Sequence, residues 1–459
     1  MRTEREKIAH LLRRFGLGAS EAELDFYGQD GLKGAIDKLL NYQQIEQRLE
    51  IRPEMFLDDR RRVPSFPDVQ TDWGIRMLTT RRPLEEKMAL FWHHHFATAR
   101  EKVDVSMVMH RQIDLFREKG LGRFLELLVA VSKDPAMIYW LDNQFNVKGK
   151  PNENFAREIM ELFTLGIGHY TEKDIQEAAR CFTGWGYSAG RRRDNAAKPR
   201  LDAEFVFRPE DHDDGVKTIL GNTGRFTGED VCGILCGRAE TPRFLVKKIW
   251  EWFCCMNPSD AIVEKFARIF RESGLHIKTL LKAIMESDEF YSDMCYRRGY
   301  KNPAEVCVIA MRQLGMGATI EPDGDGRIPV ANRLISRGAL TSMKNMGMEL
   351  LNPPDVAGWQ IGPNWISSAT MVERIKFGES LFTRLRYPAA NLIAGQTPAE
   401  AVQSLASVFD VQLPAEKIKT IAQGAEAATK GGSVTAANAN AVAAAIAKLL
   451  FATPEFQFC

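Results

Sequence analysis

Apolar positions recur along most of this chain at three- and four-residue intervals, the spacing that puts one face of an α-helix against a core. Ile8, Leu11, Leu12 and Phe15 share a face and predict a first helix over about 4–15, with Gly16 expected as a left-handed cap. Ser20 followed by Glu23 is a capping box opening the next helix. The same periodicity predicts helices at about 32–50, 70–80, 84–97, 104–118, 122–132, 153–165, 172–184, 229–237, 241–254, 259–271, 276–287, 302–314, 330–345 and 370–384. Strand patterning is sparse. Its best instance sets Glu204-Phe-Val-Phe against Lys217-Thr-Ile-Leu around an Asp-Gly turn, an expected β-hairpin. Residues 421–448, rich in Ala, Gly and Asn, read as a loose linker feeding a small-residue helix. The expectation is a mainly α protein: a large multi-helix domain over 1–385 with a small β-hairpin insertion, and a C-terminal helical appendage over 386–459 packed on it.

Composition narrows the class without naming a function. The 459 residues carry 61 Lys and Arg against 60 Asp and Glu, so no bulk positive field is available for nucleic acid. The Arg191-Arg192-Arg193 stretch, within a polar loop over 188–203, is a local basic run, and it reads first as a solvated excursion. The charged N-terminus lacks the apolar core of a signal peptide, and no window approaches the length of a membrane helix. As written, the sequence is expected to be soluble and cytoplasmic. The eight cysteines fit no zinc-ribbon or disulfide framework.

Four segments hold the candidate chemistry. In Pro83-Leu-Glu-Glu-Lys-Met-Ala-Leu-Phe-Trp-His-His-His, Pro83 suits a helix start and His95 shares the inner face with Leu84, Met88, Phe91 and Trp92. His93 lies on roughly the opposite side, so the two cannot chelate one ion from a regular helix. The second segment runs from Asn152 to Trp185. It predicts a helical hairpin with Glu153, Asn154, Arg157, Glu158 and Glu161 on the first helix, a Thr171–Asp174 capping box, and Glu177 with Arg180 on the second. Glu158 and Glu161 have the i, i+3 spacing that lets two carboxylates hold a metal or share a proton. Ion pairs of Arg157 with Glu161 and Arg180 with Glu177, serving only the hairpin, are the competing reading. The third segment places His212, Asp213 and Lys217 around a tight loop, either a ligand and acid/base set or plain turn chemistry. The fourth, around Trp359 and Trp365, is a rigid Pro- and Gly-rich loop that either stacks on a sugar or plugs the core. P-loop, dinucleotide, nucleophile-elbow and His-Glu-x-x-His signatures are missing.

Together, His10-Leu-Leu-Arg-Arg-Phe-Gly, Trp92-His-His-His-Phe, Asn152-Glu-Asn-Phe-Ala-Arg-Glu, His212-Asp213 with Lys217, Pro353-Pro-Asp-Val-Ala-Gly-Trp and the closing Pro454-Glu-Phe resemble the bacterial domain of unknown function family 1800. The resemblance implies a mostly helical protein with no established reaction. It also implies relatives that are exported, and a sulfatase-like protein encoded nearby as a candidate partner. Two functional expectations stay open. One is a metal-assisted enzyme whose acid/base groups are His95, Glu158, Glu161, His212 and Asp213, with a divalent transition metal held by His93, His95, Glu158, Glu161 and His212. Glu153, Asn154, Arg157, Arg180 and Lys217 would then bind substrate. The other is a non-catalytic binding or assembly protein in which these motifs are structural and Trp359 and Trp365, or the basic loop, meet a glycan or protein partner. The enzyme reading expects one residue from each of the first three segments to converge on a common cleft.

Overall fold

The computed structural model describes residues 2–57, 61–188, 198–429 and 432–459. The basic run Arg191–Arg193 lies outside the described residues. The architecture is helical, with two small antiparallel two-stranded sheets among the described residues, and no helix of the described residues is long and apolar enough to cross a membrane.

One helix, Pro83–His95, sits at the centre, with twelve of its thirteen residues buried. Helices Glu4–Phe15, Phe66–Thr79 and Ser106–Lys119 pack around it, the last of these most extensively. The hairpin Asn154–Glu161 and Glu172–Cys181 lies to one side, followed by the two sheets and the helices Gly228–Gly237, Glu240–Phe253, Asp260–Glu272 and Ile277–Met285. A π-helical turn, Glu305–Ile309, leads on toward Val330–Asn345, which packs on Phe66–Thr79. The C-terminal helices gather on Ser368–Thr383, whose main partner is Ala439–Leu450. Both expected capping boxes form, at Ser20 with Glu23 and at Thr171 with Asp174.

Three local expectations are corrected. Gly16 is extended (φ −107°) instead of left-handed. Glycine is required there by proximity, because a Cβ would sit 2.6 Å from the Leu12 carbonyl oxygen. The two strand segments form but do not pair with each other: Phe205–Phe207 pairs with Trp185–Tyr187, and Lys217–Ile219 with Asn222–Gly224. The intervening 208–215 stretch is pinned to Thr183 instead of turning tightly. Lastly, much of the supposed linker is the helix Ala415–Thr429, as its alanine content favours.

Charged groups are enclosed where the N-terminal helix meets the rest. The Arg14 guanidinium donates from Nε to the Phe253 carbonyl (2.9 Å) and from Nη2 to that of Trp252 (2.8 Å), two of the open carbonyls at the end of Glu240–Phe253. Its remaining nitrogen reaches Cys459 Sγ at 2.6 Å, and Glu305 lies 3.9 Å away. Lys87 pairs with Glu305 at 2.7 Å and donates to the Arg13 carbonyl at 3.1 Å. Every one of these side chains is at least 96% enclosed. Removing one member of such a cluster strands the others, whereas exposed pairs contribute little. Arg14→Ala should therefore cost about 3–5 kcal/mol, and Arg157→Ala under about 1 kcal/mol. Urea unfolding of both variants checks the contrast.

Candidate functional site

The histidines end the central helix, where each faces a different neighbour. His95 Nε2 donates to the Phe163 carbonyl at 3.1 Å, while its Nδ1 is buried without a partner. His94 Nδ1 accepts the Trp359 N–H at 3.0 Å, and its ring stacks on Trp252. That bond explains Gly358 in the Val-Ala-Gly-Trp run. The residue has φ +91°, and a Cβ there would lie 2.2 Å from the His94 carbonyl oxygen. His93 has neither ring nitrogen hydrogen-bonded and is enclosed by Trp73, Phe116 and Trp359. Burial pushes His93 and His94 down to about 3 and His95 well below its usual range, so all three are neutral near pH 7. Trp359 and Trp365 are themselves core residues, 4% and 3% exposed.

The hairpin stripe is half-buried. Arg157 forms a two-bond pair with Glu172 (2.8 Å each) and a weaker one with Glu153 at 3.4 Å, in place of the expected Glu161. Glu161 accepts the Tyr170 hydroxyl at 2.6 Å, and Asn154 Nδ2 donates to the Leu141 carbonyl. Burial, then the neighbouring Glu161 charge, raises the Glu158 carboxyl.

His212 and Asp213 are anchored to the end of the second hairpin helix. His212 Nδ1 donates to the Thr183 carbonyl (2.9 Å), and the Asp213 N–H donates to the Thr183 hydroxyl (2.8 Å). Arg180 grips Asp213 through Nε at 2.7 Å and Glu177 at 2.8 Å, the latter as expected. Arg180 holds the Asp213 carboxyl down to about 2. Lys217 donates to the Asp213 and Phe226 carbonyls. Asp213 joins the second segment through Arg180 and Thr183, whereas His95 meets that segment at the Phe163 carbonyl and not at Glu158 or Glu161. Among the described residues, no three His, Cys, Asp or Glu side chains are grouped so as to hold an ion.

Sequence reasoning missed a different polar centre. A cavity of about 180 Å³ opens between the 47–52 segment and the starts and ends of three helices, lined by Arg52, Arg76, Arg82, Arg117, Glu85 and Glu86 among others. Phe66–Thr79 supplies Asp72 and Arg76, one turn apart and 3.1 Å from each other. Ser106–Lys119 presents His110, Asp114 and Arg117 at i, i+4 and i+7, a single face. Arg117 binds Glu86 through two bonds of 2.9 Å and Asp114 at 2.7 Å. His110 bridges Asp114 (3.1 Å) and Asp72 (3.5 Å). The charges thus alternate from Arg76 to Glu86 and fix the arginines in place. Glu85 differs from its neighbours. Burial and the adjacent Glu86 raise its carboxyl to about 7, against the opposing pull of Arg117, Arg82 and Arg76.

A model of the family described as "Protein of unknown function (DUF1800)" matches residues 10–458. No curated protein and no solved structure matches the chain.

Burial disfavours charge on His110, but the Asp114 and Asp72 carboxylates beside it outweigh this and raise it to about 9 from 6.5. The native state therefore holds the proton more tightly than the unfolded chain. The stabilisation is complete below about pH 6.5 and lost as pH rises through about 9. The stability gap between the wild type and His110→Gln should narrow by about 3 kcal/mol across that window. Chemical denaturation at a series of pH values measures it.

Proposed function

The chain belongs to the DUF1800 family of proteins of unknown function, and from its geometry we propose that it binds a small anionic substrate in the arginine-lined cavity and exchanges a proton with it through Glu85. The observation that carries this reading is the Glu85 carboxyl itself. Raised to about 7 in a cavity lined by four arginines, it is protonated or ionised in comparable amounts near neutrality, the condition for efficient general acid or base action. Arginine is suited to carboxylate and phosphate oxygens because its planar fork offers parallel N–H bonds. Arg117 and Arg76 are held by acidic partners and set the electrostatic field. Arg82, fixed through Nε to the Ile45 carbonyl at 2.7 Å, keeps its terminal nitrogens as the better candidates for direct contact. The cavity volume suits a compact ligand, below the roughly 300 Å³ at which drug-sized sites begin.

The metal-assisted alternative, with His93, His95, Glu158, Glu161 and His212 as ligands, draws less support because these side chains serve separate neighbours. Stoichiometric transition metal in the purified protein, lost in His95→Ala without unfolding, would restore it. The glycan-binding alternative at Trp359 and Trp365 is disfavoured by their burial.

Calorimetric titration with inorganic phosphate and with succinate tests the cavity reading. Binding should strengthen as pH falls through about 7, where Glu85 loses its charge. Glu85→Gln should bind with little pH dependence, and Arg82→Ala about tenfold more weakly, on the order of 1.4 kcal/mol. Absence of binding by both anions, or an unchanged pH profile in Glu85→Gln, would refute it.

A further inference from the structure

Seven of the eight cysteines are buried, and one pair is in direct contact: Cys255 and Cys295, whose sulfurs lie 2.7 Å apart. The two are 40 residues apart in sequence. Cys255 follows the end of the Glu240–Phe253 helix. Cys295 sits in a run of turns, its N–H bonded to the Ser292 carbonyl and its own carbonyl to the Arg298 N–H. The Arg14 guanidinium rests on the Trp252 and Phe253 carbonyls, just before Cys255, and its charge favours a thiolate there.

We propose that Cys255 and Cys295 are a dithiol modification site, converted to a disulfide by a peroxide, with Cys255 as the attacking sulfur. The Cys255 thiolate attacks one peroxide oxygen and the O–O bond breaks. The sulfur is oxidised to a sulfenic acid, and the departing oxygen leaves as water after taking up a proton. The Cys295 sulfur then attacks the sulfenic sulfur and loses its proton. The S–O bond breaks, and the hydroxyl leaves with that proton as a second water. Two thiols are oxidised by two electrons and one peroxide is reduced to two waters.

The surroundings distinguish the members of this group. The hydrogen bond from Cys295, more than any charge, lowers Cys255 to about 7, whereas burial pushes the adjacent Cys254 well above the ordinary thiol range. Cys255 is 4% exposed and Cys254 fully enclosed, so a reagent as small as a peroxide has its better approach at Cys255. The link would tie the end of Glu240–Phe253 to the segment carrying Arg297, whose side chain holds Asp410 at 2.6 Å. The inference does not depend on the Glu85 cavity.

Intact-mass measurement and thiol titration in denaturant, after the reduced folded protein is treated with hydrogen peroxide, test it. Mass should fall by about 2 Da, with two of the eight thiols lost to titration. Peptide mapping without reductant should place the link at Cys255–Cys295. Cys254→Ser should leave it intact. Cys295→Ser should accumulate a sulfenic acid at Cys255, trapped by dimedone. Eight titratable thiols after treatment, or a link mapped to Cys254 or Cys459, would overturn the proposal. The mapping uses the unmutated protein, so failure of a variant to fold does not weaken it.

Discussion

The constraint on which the rest depends is the enclosure of a helix with polar residues on several sides. Pro83–His95 is surrounded by protein, yet it carries Glu86, Lys87, Trp92 and three histidines with almost no access to water. Buried polar groups need partners, and most of these find them on a different piece of the chain. Glu86 takes Arg117, Lys87 takes Glu305 and the Arg13 carbonyl, and Trp92 takes the Gly120 carbonyl. His94 takes the Trp359 amide, and His95 the Phe163 carbonyl. Segments hundreds of residues apart in sequence are thereby given fixed positions around one axis.

The family motifs follow from this arrangement. The His-His-His run, the Asp-Val-Ala-Gly-Trp loop and the Arg-Arg pair of the first helix each supply a contact that the central helix or its neighbours require. Their chemistry resembles that of a catalytic constellation because buried networks and active sites use the same residue types. The difference lies in what the atoms face. His95 and Asp213 are bound to carbonyls, amides and arginines of the fold, while Glu85 lines a cavity with a carboxyl held near its titration point.

Much of the fold was legible because helical periodicity is local. The first helix and Val330–Asn345 begin and end where their apolar spacing predicts, and the two capping boxes announce their helices. Pairing was less legible. The Phe205–Phe207 strand takes a partner that depends on Thr183 anchoring His212 and Asp213, a tertiary contact no short window contains. The Ala-rich helix Ala415–Thr429 was misread because a composition rich in Ala, Gly and Asn looks like a linker. In the fold, Gly424 faces Leu449, whose Cδ1 would be 2.4 Å from any added Cβ, so the glycine permits close helix packing. The Glu85 cavity was invisible for a related reason. Asp72 with Arg76, and Asp114 with Arg117, each read along one helix as solvated ion pairs. Only the meeting of three helices encloses them and leaves Glu85 desolvated.

The Arg14 contacts bear on how the chain reaches this state. Arg14 donates to Cys459, and the 457–459 stretch in turn pairs with 299–301, where the Cys459 N–H meets the Gly299 carbonyl at 2.9 Å. The first helix is thus completed by a residue 445 positions later in the chain. During vectorial emergence the Arg14 nitrogen that reaches Cys459 lacks that partner until residues 457–459 are made. Contacts of such sequence separation slow the final ordering of a chain and prolong the exposure of half-assembled apolar faces. The folded molecule gains a closure between segments far apart in sequence, and the nascent one an interval in which its apolar faces stand open.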